Sequence, residues 1–196
     1  MKKKIILYGV GGHLNSVLDV ISYDKKFQIE ALADDNSNRK RKNFKFIKSS
    51  QLFTNIEKSK KNIHLSFASI YNLREREKIF LKLCKTKKYK FPKIISPLSN
   101  ISKNSTVGDG TIIFHNVLIN SNVSIGSCVV INSKALIEHD VVIGQNTHIS
   151  TGAIINGGVK IGKNCFIGSG SVIKENVVIR DNTFIKMGSV IKKIIN

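Results

Sequence analysis

The sequence predicts a chain in two parts: an α/β unit of Rossmann-like type over residues 1–98, then a parallel β-helix of hexapeptide repeats over residues 99–196. Three observations carry this expectation. From Ile101 through Val107 and Ile113 to Ile191, an aliphatic residue returns every six positions for sixteen hexads without a slip. A smaller series follows four residues after each member, from Ser105 and Thr111 through Ala135 and Ala153 to Ile195. Such a period fits neither one amphipathic helix nor one long strand, but it fits short strands that turn corners at fixed intervals. Each hexad is too small to bury its own aliphatic side chain, so the hexads must stack into a continuous core. Upstream of Pro97 the pattern changes to strand-length apolar runs alternating with amphipathic segments, which predicts a parallel sheet with helices on its faces.

In that first part, Ile5–Tyr8 reads as a buried strand, Gly9-Val10-Gly11-Gly12-His13 as a tight loop, and Leu14–Tyr23 as a helix. A second strand runs from Phe27 to Ala33 and ends in Asp34-Asp35, and a short one follows at Phe44–Ile47. Ser50 is placed to cap a short helix reaching Lys58. Ile63–Ala68 alternates like a strand, Asn72–Lys88 carries Leu73, Ile79, Phe80 and Leu83 as a charged helix, and Phe91–Ser96 is read as the last strand. The glycine loop departs from G-x-G-x-x-G, because Leu14 occupies the third glycine position; this argues against NAD. A glycine loop at a helix start still offers backbone N–H groups to a phosphate or polar ligand, and Asp34 and Asp35 are placed to accept hydrogen bonds. A structural turn with two solvated carboxylates fits the same residues.

The formal charge is +19, and residues 1–98 hold 23 basic against 8 acidic side chains. Only five of the basic residues are Arg and the lysines are dispersed, so a solvated surface that favours anionic small substrates is expected, not nucleic-acid binding. The opening Met1-Lys2-Lys3-Lys4 mimics a secretory leader, but the apolar run stops at Gly9. No stretch is long enough to span a membrane. Cys84, Cys128 and Cys165 are odd in number and lack metal-ligand spacing, which points to the reducing cytoplasm and to no metal.

His115, His139 and His148 lie in the repeat. A lone histidine is ordinarily a surface residue, but His139 is followed at once by Asp140, with Asn132 seven residues earlier. A carboxylate on one ring nitrogen fixes the tautomer and raises the basicity of the other, as general-base work requires. Adjacent residues of a regular strand point oppositely, so this contact demands a corner at Asp140.

The run from Leu136 to Gly144, the run from His148 to Ala153, and Gly11-Gly12-His13 together resemble the sugar acetyltransferases that include bacillosamine-pathway N-acetyltransferases and sialic acid O-acetyltransferases. The resemblance spans nearly the whole chain. It implies a left-handed coil of three hexads per turn, hence about five coils stacked roughly 4.8 Å apart, and a homotrimer. It implies His139 as general base and Asp140 as the acid that tunes it, with Asn132 beside the acceptor. His148, Gly157 and Ser169 would contact acetyl-coenzyme A. Gly11, Gly12, His13, Asp34 and Asp35 would hold a nucleotide-sugar, with Ser69 standing where the family has a glycine. Met187 likewise replaces a coenzyme-contacting glycine. With eighteen residues per coil, Gly157 falls directly above His139, whereas His148 lies half a coil away and meets His139 only across a subunit boundary.

The expected activity is acetyl-CoA-dependent N-acetylation of the 4-amino group of a nucleotide-linked amino-dideoxy sugar, for bacterial surface glycans. O-acetylation of sialic acid by the same base is the alternative. A non-catalytic β-helix binding protein is the second alternative, and the His139-Asp140 pair speaks against it.

Overall fold

The computed structural model of the chain describes residues 2–54, 60–68, 70 and 72–193. Ser69, Ile195 and the end of the helix expected to reach Lys58 lie outside the described residues. The first part is a five-stranded parallel sheet made by β1 (Lys3–Tyr8), β2 (Phe27–Ala33), β3 (Phe46–Ile47), β4 (Lys61–Leu65) and β5 (Tyr89–Lys90). Its order is β3-β2-β1-β4-β5, so the connections reverse direction beside β1, where the glycine loop emerges. Alternate residues of β1 serve opposite cores. Ile5 and Leu7 pack with α1 (His13–Asp24), while Ile6 and Tyr8 share a core with Leu52 of α2 (Gln51–Thr54) and with Phe80 and Leu83 of α3 (Leu73–Lys85). α1 buries Leu14, Val17, Val20 and Ile21 on one face. The Asn72 side chain accepts from the Glu75 N–H and caps α3.

From Ile94 onward the chain winds a three-sided prism of seventeen two-residue strands, β6 (Ile94–Ile95) to β22 (Val190–Ile191), one per hexad. Leu118 pairs with Leu136 and Leu136 with Ile154, so three hexads make one coil. The second residue of each strand turns inward: Ile113, Ile131 and Ile149 have no exposed surface, and the smaller series from Val117 to Val177 fills the space between them. Where that series is Thr, the hydroxyl finds a partner: Thr111 Oγ1 donates to the Gly126 carbonyl at 2.9 Å and Thr147 Oγ1 to that of Gly162 at 2.8 Å. Corners fall on a third sixfold column in the left-handed region. Asn116, Asn122, Asp140, Asn146, Asn164, Asn176 and Asn182 lie on it, interleaved with glycines such as Gly152 and Gly158.

The three faces differ. One, carrying Ile94, Ile112 and Val130 outward, packs against α1 and merges with the core of the first part. A second presents Leu118, Leu136, Ile154, Val172 and Val190, with Leu118 40 % and Val190 60 % exposed. The third mixes Thr106, Ser124, Val142, Lys160 and Val178. The strand expected at Phe91–Ser96 is corrected here: Tyr89–Lys90 ends the α/β sheet, and Ile94–Ile95 already belongs to the prism. Pro92 has no N–H to give a ladder, whereas the Ile94 N–H donates to the Thr111 carbonyl at 3.0 Å.

Candidate active site

His139 and Asp140 occupy the corner that joins the aliphatic face to the mixed one. Asp140 sits at φ 60°, which supplies the turn that two neighbouring residues need before their side chains can meet. His139 Nδ1 lies 2.8 Å from Asp140 Oδ2, and Asn122 Nδ2, one coil below, donates to Asp140 Oδ1 at 2.5 Å. These two hydrogen bonds, that from His139 first, lower the Asp140 carboxyl below its ordinary value and keep it ionised. A charged acceptor on Nδ1 fixes the proton there and leaves the Nε2 lone pair free. Gly157 lies one coil above: a Cβ placed on it would stand 2.7 Å from His139 Cε1 and 2.8 Å from Nε2. The imidazole therefore rests on a position only glycine leaves open. Glu138, Asn156 and Glu175 complete an exposed recess around the ring, with Glu138 Oε2 held by Asn120 Nδ2 at 2.7 Å.

The other predicted residues gather elsewhere. Asn132 and Ser169 lie at the opposite edge of the aliphatic face, at the corner shared with the docking face, two coils apart. Between them Ser150 Oγ meets Ser169 Oγ at 2.8 Å. At this edge stand Gly11 and Gly12, over which there is open space, and the half-buried His13, whose ring edge contacts Phe114 at 5.3 Å. The α1 N-terminus has no side-chain cap and no acidic residue in its first turn, which leaves its dipole available to a negative group. Gly9, at φ 104°, takes a conformation that disfavours side chains, and Phe67 fills the place of a Cβ.

Asp34 and Asp35 part company. Asp34 is buried and committed to the loop, accepting from the Val10 N–H at 2.7 Å and the Asn36 N–H at 2.9 Å. Asp35 is exposed, with Ser49 Oγ as its donor. His148 is 2 % exposed, enclosed by Phe166 at 5.2 Å and His13 at 6.4 Å between ring centroids, so the first part of its own chain covers it. His115 ties the two parts together, with Nδ1 2.6 Å from Ser96 Oγ and Nε2 2.9 Å from Asp19 Oδ2 of α1. Arg76, which sequence reasoning placed only on a charged helix, is fully buried in the seam.

Residues 4–83 match the family described as the PglD N-terminal domain, and residues 140–175 and 158–193 match the bacterial transferase hexapeptide (six repeats). No curated protein matches the chain. Among solved structures, the acetyltransferase domain of PglB from Neisseria gonorrhoeae is similar at 22 % identity with a TM-score of 0.90, over 100 % of this chain and 94 % of that one. PerB from Caulobacter crescentus, in complex with CoA and GDP-perosamine, is similar at 22 % identity and TM-score 0.88, over 98 % and 90 % of the two chains. WeeI from Acinetobacter baumannii is similar at 23 % identity and TM-score 0.82, over 99 % and 93 %. The fold is thus an α/β domain followed by a left-handed parallel β-helix.

Proposed function

Starting from a chain that carries a PglD N-terminal domain joined to transferase hexapeptide repeats, we propose an acetyl-CoA-dependent N-acetyltransferase acting on the amino group of a nucleotide-linked amino-sugar. The observation that carries this reading is the His139 imidazole, tied through Nδ1 to Asp140 and leaning with Nε2 over Gly157. An acceptor amine at Nε2 has its proton removed as the nitrogen attacks the thioester carbonyl, and the same proton leaves on the coenzyme thiol. Amine and acetyl-CoA become amide and free thiol, with no bond to the protein. Asp140 remains a carboxylate throughout and stabilises the imidazolium between the two transfers. PerB, crystallised with CoA and GDP-perosamine, supports a nucleotide-sugar acceptor. The glycine loop and the exposed Asp35 are the groups we assign to the nucleotide end, and Asn132, Gly157 and Ser169 to the acetyl-transfer end. Three free cysteines, Cys84, Cys128 and Cys165, suit the cytoplasm in which we place the enzyme.

We further assign a homotrimer. The aliphatic face exposes a column of Leu, Ile and Val side chains, and the two groups of site residues stand on its two opposite edges. Packing that face around a threefold axis buries the column. It also brings the His139 edge of one prism against the Asn132 and Ser169 edge of the next. The test is thiol release from acetyl-CoA with a panel of UDP-, dTDP- and GDP-linked 4-amino sugars, with free sialic acids alongside. Release with an amino-sugar nucleotide is expected; release with sialic acid alone replaces this reading by O-acetylation.

A further inference from the structure

Lysines that stand far apart in the sequence become neighbours in the α/β sheet. Four of its five parallel strands start on a lysine doublet: Lys2-Lys3 at β1, Lys25-Lys26 at β2, Lys60-Lys61 at β4 and Lys87-Lys88 at β5. The starts of parallel strands lie along one edge, and these four strands are adjacent in the order β2-β1-β4-β5. The ladder sets the doublets level. The Lys3 N–H donates to the Lys26 carbonyl at 2.9 Å and the Lys61 N–H to the Lys88 carbonyl at 3.0 Å, while Ile5 pairs with Asn62 and so brings Lys61 beside Lys4. The eight ammonium groups of these doublets share a row three strand spacings across, roughly 14 Å.

Two carboxylates meet this row, Asp24 at 2.8 Å from Lys26 Nζ and Glu30 at 2.6 Å from Lys61 Nζ. Lys2, Lys3, Lys25, Lys26, Lys60 and Lys87 are all exposed. Cations are favoured after a helix C-terminus, which accounts for a lysine after α1 and another after α3. It does not account for doublets, nor for Lys2-Lys3, which no described helix precedes. Like charges held this close repel one another, and a negative partner relieves the repulsion.

The chemistry of the row selects the partner. Every cation in it is Lys, whereas Arg39, Arg41, Arg74, Arg76 and Arg180 all lie elsewhere. A guanidinium forks onto individual phosphates and carboxylates, but an ammonium on a flexible stem is a point charge that suits a continuous layer of headgroups. The rings that follow two of the doublets offer no platform for stacked bases: Phe27 is 7 % exposed, and Tyr89 donates its hydroxyl to the Leu52 carbonyl at 2.7 Å.

We propose that this edge seats the protein on a bilayer that contains anionic phospholipid. It stands at the opposite end of the sheet from the glycine loop, so the seated protein keeps that loop open to water. The prism starts at the same end: His115, early in it, meets Asp19 and Tyr23 late in α1, whereas the later His148 meets His13 at the α1 start. A threefold axis along the prisms would turn three such rows to one side. That last step rests on the trimer reading; the seating of a single chain rests on neither the trimer nor acetyl transfer.

Co-sedimentation of the full-length protein with vesicles tests this. Binding is expected to phosphatidylcholine vesicles that carry phosphatidylglycerol, with none to phosphatidylcholine alone, and it is expected to weaken steeply as salt rises from about 0.1 M to about 0.5 M. Each lysine at such a surface is worth about a fivefold change in partitioning, so the triple variant Lys2→Gln, Lys3→Gln, Lys60→Gln is expected to bind about 10²-fold more weakly. A control with the same loss of charge on later coils of the prism, Lys163→Gln, Lys174→Gln, Lys186→Gln, is expected to bind close to wild type. In the unmodified protein, vesicles are expected to slow chemical acylation of Lys2, Lys25, Lys60 and Lys87, read by peptide mass spectrometry, and to leave Lys163 and Lys186 unchanged. Absence of binding to the anionic vesicles at the lower salt, equal weakening in the two variants, or acylation of the doublets unchanged by vesicles each overturns the proposal. A protein that ignores the vesicles but captures a DNA duplex overturns it in favour of nucleic acid.

Discussion

At the residue scale, His139 and Asp140 show what adjacency reveals. Their contact was legible because an acid next to an imidazole needs only a corner, and Asp140 falls in the same sixfold column as Asn122 and Asn146, the residues that most readily take left-handed φ. His139→Ala is expected to keep the fold, because the side chain stands 63 % exposed outside the prism, and to lose about 10²- to 10⁴-fold in kcat. Near-full turnover of that variant with unchanged circular dichroism removes His139 from the mechanism. Gly157→Ala is a subtler probe of the same ring. The new methyl would overlap His139 Cε1 at 2.7 Å, and the exposed imidazole moves more easily than the coil, so activity is expected to fall with little change in Tm. Wild-type kcat in Gly157→Ala would mean that the ring does not work from this position. His148 was not legible in this way. It occupies an outward strand position, which the repeat alone marks as surface, and only the docking of another part of the chain buries it.

At the element scale, the inward register follows from the sequence because the hexad period and the strand pairing are the same fact. An aliphatic residue every six positions becomes a column every eighteen once three faces close, as Ile125, Ile143 and Ile161 pair in line. One further hexad was present but hidden: Ile95 lies six before Ile101 and Ser99 four after Ile95, yet Phe91 and Pro92 nearby made the segment look like the end of the α/β sheet. The boundaries of β3 and β5 were less legible, because two-residue pairings at a sheet edge leave little periodicity to read. Ile143→Asp places a carboxylate in a column flanked by Ile125 and Ile161 with no donor to meet it. The stacked coils share that column, so the loss is expected to spread through the prism and remove the cooperative melting transition. A soluble Ile143→Asp protein with an unchanged melting curve would show the register to be wrong.

At the scale of the whole molecule, two junctions matter: the seam between the parts, and the face that the proposed trimer would bury between copies. Burial, aided by the field of Arg76, lowers His13 to about 4 and His64 and His148 to about 3. The unfolded chain then binds more protons than the folded one from the ordinary histidine value of 6.5 downward. Stability is therefore full above about pH 7 and declines as pH falls, by up to about 1.4 kcal/mol per pH unit for each histidine. Urea melts at pH 7.5 and 5 measure this, and an unchanged midpoint would mean that the three rings are not enclosed. In the proposed trimer the second junction would set the activity. If the site forms where the His139 edge of one prism meets the Asn132 edge of the next, a subunit carrying His139→Ala still offers an intact second edge, and one carrying Asn132→Ala still offers an intact base. Each homotrimer is impaired at all three boundaries, because every boundary contains one damaged edge. After subunit exchange at equal amounts, a boundary is whole when an Asn132→Ala subunit supplies its His139 and a His139→Ala subunit supplies its Asn132. Random mixing makes that so for about one boundary in four. Recovery towards about a quarter of wild-type thiol release is therefore expected. Complete subunit exchange, verified by mass spectrometry of the intact assemblies, without any recovery would place both edges of a working site on a single chain.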